Sequence, residues 1–134
     1  MKTSIKLLLI DDDEDDYILT CDLLSQMQDY AFDIEWASSY EKGVAALIQN
    51  MHDVCLLDNR LGIKTGIDIL KEVQGKANFI PIVLLTGYGD RETDLEAMKS
   101  GASDYLLKGK LTVDILERTI RYSIKHKNDE AVIL

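Results

Sequence analysis

The stretch Ile5-Lys6-Leu7-Leu8-Leu9-Ile10-Asp11-Asp12-Asp13-Glu14-Asp15-Asp16-Tyr17 decides the fold, because it passes from an apolar run straight into six consecutive acids. From Leu7 to Ile10 the apolar residues are consecutive rather than alternating, the pattern of a strand covered on both faces in a parallel sheet. The run is too short for a full helix. Beyond the acids, Tyr17, Cys21 and Leu24 repeat at intervals of four and three, which predicts a helix with one buried face. Acids at a helix start are favoured by the positive end of its dipole, so Asp13, Glu14, Asp15 and Asp16 read as a solvated first turn. Asp11 and Asp12 read differently, since the strand before them aims them off its carboxyl end.

The same unit recurs outward. Apolar runs at Phe32 to Trp36, Val54 to Leu57, Ile80 to Leu85 and Tyr105 to Leu107 bring the expected strands to five. Segments of helical spacing separate and follow them, the last marked by Val113, Leu116, Ile120 and Ile124. Ser38-x-x-Glu41 and Thr65-x-x-Asp68 read as capping boxes, and Asp90 as the cap of a helix running to Ser100. Gly75 and Gly101 stand just past helical segments, where a left-handed residue ends the helix. The expected fold is α/β, a single (βα)5 doubly wound parallel sheet with right-handed crossovers and the flavodoxin-like strand order 2-1-3-4-5. That order reverses between strands one and three, and ligands bind at such a reversal.

Composition narrows the partners. The chain has 134 residues, enough for one domain, with 24 Asp and Glu against 15 Lys and Arg and a net charge of −9. This excess repels phosphate backbones and anionic lipid, so no direct nucleic-acid contact and no membrane binding are expected. The densest basic stretch, Arg118, Arg121, Lys125, His126 and Lys127, has helical spacing and reads as a solvated face. Cys21 and Cys55 form no metal or redox motif and read as buried free thiols in a reducing compartment. The opening residues lead into too brief an apolar run for a signal peptide or a span, which makes the cytoplasm the expected location. The domain is expected to cover residues 1–126, with 127–134 as a tail or the start of a linker. His52 and His126 show no paired acid or nucleophile, and Trp36 reads as packing at the end of strand two.

The expected fold gathers Asp11, Asp12, Asp58, Thr86 and Lys108 at one sheet edge. Three carboxylates in close quarters raise one another's pKa unless a cation neutralises them, and a hard divalent ion such as Mg²⁺ suits an all-oxygen site. Lys108 offers a point charge to a phosphate, and the Thr86 hydroxyl can donate to a phosphoryl oxygen. Asp58 then becomes a candidate nucleophile toward phosphorus. Asp11-x-Asp13-x-Asp15 imitates the opening of an EF-hand loop, but Asp16 stands where that loop needs Gly and Asp22 where it usually has Glu.

These pieces resemble the receiver domain of two-component response regulators over about residues 4 to 126. The resemblance rests on Leu8-Leu9-Ile10-Asp11-Asp12-Asp13, on Asp53-Val54-Cys55-Leu56-Leu57-Asp58-Asn59-Arg60-Leu61 with Gly66 beyond, on Pro81-Ile82-Val83-Leu84-Leu85-Thr86-Gly87, and on Gly101-Ala102-Ser103-Asp104-Tyr105-Leu106-Leu107-Lys108. It implies that Asp58 is the phosphoacceptor, Asp12 a direct metal ligand, Asp11 a ligand acting mainly through water, and Arg60 the source of a ligating backbone carbonyl. Thr86 and Lys108 would contact the phosphoryl group, and Tyr105 would change rotamer with Thr86. The implied cofactor is Mg²⁺ or Mn²⁺. The implied partners are a histidine kinase or histidine phosphotransfer protein and a downstream protein target, with the chain acting on itself rather than as an enzyme on other substrates. Gly109 replaces the proline usual after the lysine, which makes a cis bond there less favourable and leaves the isomer open. Gly62 likewise stands where proline is common.

Other readings share the topology. A haloacid-dehalogenase type enzyme would use Asp11-x-Asp13, but the chain has no room for a cap domain. A flavin module would need a Ser/Thr/Gly-rich loop where six acids stand. A constitutive docking module would not need the intact set of Asp11, Asp12, Asp58, Thr86 and Lys108. Arg60 and Tyr88 flank the site and are expected to shield it from water, and Tyr105, Ile115, Thr119 and Tyr122 are candidates for a homodimer or target face.

Overall fold

The structure, a computed structural model, describes residues 2–76, 80–87 and 91–132, with side chains up to Asp129. Strand β1 (Thr3–Ile10) lies between β2 (Tyr30–Ala37) and β3 (Val54–Asp58), and both pairings are parallel. Strand β3 then pairs with β6 (Ile82–Thr86), and β6 with β7 (Asp104–Leu107). The order β2-β1-β3-β6-β7 is the expected 2-1-3-4-5 when the long strands alone are counted. Between them run α1 (Glu14–Ser25), α2 (Tyr40–Ile48), α3 (Gly66–Val73) and α4 (Arg91–Lys99), followed by α5 (Val113–Val132).

Strand geometry explains the consecutive apolar runs, because successive side chains enter opposite layers. Leu8, Ile10, Cys55, Leu57 and Leu84 pack with Leu47 of α2 and Leu70 of α3. Leu7, Leu9, Leu56, Val83 and Leu85 pack with Leu24 of α1 and with Leu116 and Ile120 of α5. Each such leucine contributes about 1.5–3 kcal/mol by leaving water. Both layers hold the central strands rigidly, so what their carboxyl ends carry is fixed in space.

Local signals hold in part. Thr65 forms the expected capping box with Asp68, and Gly75 and Gly101 take left-handed φ values of 83° and 107°. The cap of α2 is corrected by one position: Ser39, not Ser38, accepts from the Lys42 N–H at 3.2 Å. Tyr88 and Asp90 lie outside the described residues. A small antiparallel hairpin, β4 (Arg60–Leu61) and β5 (Lys64–Thr65), adds to the expected strands, turning at Gly62 with φ of 70°. Helix α5 runs unbroken through 127–132, within the stretch expected as a tail or the start of a linker, with Lys125 reaching Asp129 at 3.6 Å and Arg121 reaching Glu117 at 2.9 Å. Thr119 is buried and therefore leaves the surface group proposed with Tyr122. His52 does find an acid, since its Nε2 lies 2.9 Å from Glu35 Oε1. No peptide among the described residues is cis, and both cysteines are free, Cys55 buried and Cys21 half-buried. No helix among the described residues is long and apolar enough to cross a membrane.

Candidate functional site

Asp58 closes β3 and is 3% exposed. Its position depends on a close approach behind it. A Cβ on Gly66 would stand 2.8 Å from the Asp58 carbonyl oxygen and 2.8 Å from Leu84 Cδ1, so glycine is needed there. The turn is further held by Gly66 N–H to Asn59 O at 2.9 Å and by Ile67 N–H to Asn59 Oδ1 at 3.3 Å. The Arg60 N–H donates to Asp58 Oδ1 at 3.3 Å.

Asp11 follows β1 and is wholly buried. Its N–H donates to Ala37 O at 3.1 Å, its carbonyl accepts from Trp36 Nε1 at 2.7 Å, and its Oδ1 accepts from Asp13 N–H at 2.9 Å. Its Oδ2 is buried with no hydrogen-bond partner. Asp13 is the N-cap of α1 and receives the N–H groups of Asp15 and Asp16. Asp12 is exposed and lies on the wall of the cleft.

Lys108 follows β7 and reaches all three buried or half-buried acids. Its Nζ stands 2.6 Å from Asp16 Oδ2, 2.9 Å from Asp58 Oδ1 and 3.7 Å from Asp11 Oδ2. Thr86 closes β6, is buried, and donates from Oγ1 to Leu106 O at 3.5 Å. Tyr105, half-buried in β7, packs against the core layer beneath. Together Asp12, Asp16, Asp58, Arg60, Thr86 and Lys108 line a cleft of about 590 Å³.

The electrostatics follow from this crowding. Burial pushes the Asp11 carboxyl up to about 7, against the opposing N–H of Asp13, with the Asp58 charge adding to the rise and Lys108 reducing it. For Lys108 burial acts downward, but hydrogen bonds to Asp16 and Asp58 and the fields of Asp58 and Asp11 outweigh it, and the ammonium is held above its ordinary value. The site therefore carries more negative charge than one lysine neutralises.

Carboxylate oxygens of Asp11, Asp16 and Asp58 lie within 4.8 Å of one another. With an Asp11 Oδ2 that makes no hydrogen bond, this is an all-oxygen donor set suited to a hard divalent cation. Asp16 is the residue that sequence reasoning misses, because its place in the first turn of α1 reads as solvated. Asp12 stands outside the close trio, on the cleft wall.

Residues 7–120 match the response regulator receiver domain family. This chain is a receiver domain of that family. It is 32% identical over 124 residues to the transcriptional regulatory protein ZraR of Escherichia coli K12, covering 92% of this chain and 27% of ZraR. It is 34% identical over 116 residues to the acid tolerance regulatory protein ActR of Sinorhizobium medicae, covering 87% of this chain and 59% of ActR. This receiver domain thus spans only 27% of the length of ZraR, and the regulation of transcription named there is a property of that whole protein. Among solved structures, a receiver domain from Clostridium thermocellum superposes with a TM-score of 0.80 at 30% identity, covering 92% of this chain and 97% of that one. A CheY-like receiver domain from Methanospirillum hungatei superposes with a TM-score of 0.82 at 20% identity, covering 96% and 99%, a likeness of fold alone.

Proposed function

We propose that this receiver domain is a phosphorylation-controlled switch in which Asp58 accepts a phosphoryl group from the phosphohistidine of a histidine kinase or histidine phosphotransfer protein. The reading is carried by one observation: Asp58, buried at the cleft floor, has an ammonium 2.9 Å from its Oδ1 and a further acid pair beside it. A carboxylate oxygen of Asp58 attacks phosphorus, the P–N bond breaks, and its electron pair returns to the donor imidazole, which takes up a proton. Lys108 offsets charge on the incoming phosphoryl oxygens, and the Thr86 hydroxyl donates to one of them. Asp11, Asp12 and Asp58, with the Arg60 carbonyl and Asp16 beside them, would hold Mg²⁺ or Mn²⁺. That ion would neutralise the acids and the phosphoryl oxygens alike.

Engagement of Thr86 by phosphate draws its hydroxyl away from Leu106 O and opens space for Tyr105 to turn inward. The surface around β7 and α5 then presents a different face to a downstream protein. On this reading the chain catalyses only its own phosphorylation and dephosphorylation, in the cytoplasm. The test is incorporation of phosphate from a small phosphoramidate, or of a beryllofluoride mimic, in the presence of Mg²⁺. Labelling of the parent is expected and labelling of Asp58→Asn is not; equal labelling of both overturns the assignment.

A further inference from the structure

The chain has a single tryptophan, and it contacts the first residue of the acid run and the residue that follows the run. Trp36 Nε1 donates to the Asp11 carbonyl at 2.7 Å, a short contact for an N–H donor. The same indole stacks on Tyr17, with ring centroids 4.2 Å apart and planes inclined by 11°. Tyr17 directly follows Asp16, so one rigid side chain on β2 holds the residue that opens the acid run and the residue just after its last member. Asp12 to Asp16 lie between these two anchors. Meanwhile the Asp11 N–H is fixed on Ala37 O at 3.1 Å, one residue beyond Trp36 on the same strand. Asp11 is thus tied to β2 through both its backbone groups, and its side chain has only the Asp13 N–H as a hydrogen-bond donor.

A packing aromatic at this position would need only the stack. The indole N–H does something a phenyl ring does not: it satisfies a carbonyl in the turn that carries the acids, and so fixes where Asp11 Oδ2 and Asp16 Oδ2 stand relative to Asp58. Because the three acids repel one another, their spacing must be imposed by the scaffold rather than chosen by the acids.

We propose that Trp36 is a positioning residue for the acid cluster, setting its affinity for a divalent cation through the hydrogen bond to the Asp11 carbonyl and the stack on Tyr17. This rests on the reading that the cluster binds Mg²⁺, and the two are separable by experiment. Titration of the parent with MgCl₂ is followed by calorimetry and by Trp36 fluorescence. The two are expected to give one and the same saturation curve, since the indole is bonded to the backbone of a ligand residue. Absence of calorimetric binding in the parent overturns the metal reading. Calorimetric binding with no change in emission overturns the role of Trp36.

Trp36→Phe retains an aromatic ring for the stack and removes the donor. Its Mg²⁺ dissociation constant, read by calorimetry, is expected to rise roughly fivefold, the worth of one ordinary hydrogen bond. Urea unfolding without metal is measured alongside. A lowered unfolding midpoint with an unchanged dissociation constant would reduce Trp36 to packing and overturn the proposal. Tyr17→Leu supplies an independent arm: it keeps the indole N–H, loses the ring stack, and is expected to weaken Mg²⁺ as well. Unaltered binding in that variant would overturn the role given to the stack.

Discussion

The ammonium of Lys108 lies closer to Asp16, at 2.6 Å, than to Asp58, at 2.9 Å. The lysine is thus shared between the start of α1 and the end of β3, and it stands where positive charge is most needed among the acids. Replacing it by alanine leaves Asp11, Asp16 and Asp58 facing one another without a counter-charge. The side chain is 24% exposed, so the cost falls below the ~3–5 kcal/mol of a fully buried pair, to about 2 kcal/mol. Lys108→Ala is expected to melt at a lower temperature than the parent in chelator and to recover much of the loss in MgCl₂. A variant that Mg²⁺ stabilises no more than the parent would contradict this charge balance.

Gly66 presents a steric test. A methyl group there meets the Asp58 carbonyl oxygen and Leu84, both at 2.8 Å and both in packed surroundings. Gly66→Ala is expected to cost about 1–3 kcal/mol, as overpacking does, and to slow phosphoryl uptake by displacing the end of β3. Urea unfolding and the rate of labelling measure the two effects separately.

Tyr40 predicts an alkaline transition. Burial first, and then the hydrogen bond from its hydroxyl to Glu72 at 2.7 Å, push its phenol up to about 12. The folded state therefore holds this proton more tightly than the unfolded chain, whose tyrosines ionise near pH ~10. The resulting stability is fully present below that pH and is lost as the pH rises toward 12. Urea midpoints of the parent should fall across this window more steeply than those of Tyr40→Phe; parallel curves would count against the assignment.

The cysteines should differ in reactivity. Cys55 is completely buried in β3, and burial drives its thiol well above the ordinary value, whereas Cys21 is half-buried on α1. A thiol reagent is expected to modify one cysteine per folded chain, Cys21, and both after unfolding in urea. Peptide mapping of the labelled residue checks the order.

Much of this architecture is legible in the sequence because the central strands are buried on both faces. Leu7 to Ile10 and Val54 to Leu57 leave no room for a period-two reading, and the residues following them, Asp11 and Asp58, inherit their positions from the strand ends. What could not be read depends on contacts between distant segments. Asp16 looks like any first-turn acid until the chain returns with Lys108. Glu35 on β2 and His52, just before β3, meet only because both strands flank β1. The two-residue strands of the β4–β5 hairpin are too short to carry periodicity, and the choice of Ser39 over Ser38 as cap turns on one residue's backbone angles rather than on residue type.

The hydrogen bond from Thr86 Oγ1 to Leu106 O, at 3.5 Å, is at the outer limit of such contacts and contributes little. On the proposed reading, the resting position of the hydroxyl is therefore weakly latched. Breaking that bond adds little to the cost of moving the hydroxyl toward a phosphate, and on the same reading the rest of that cost lies in the packing of Tyr105. Such a protein would respond to a small input. Its threshold would then be set by how its aromatic packs rather than by the hydroxyl's resting bond.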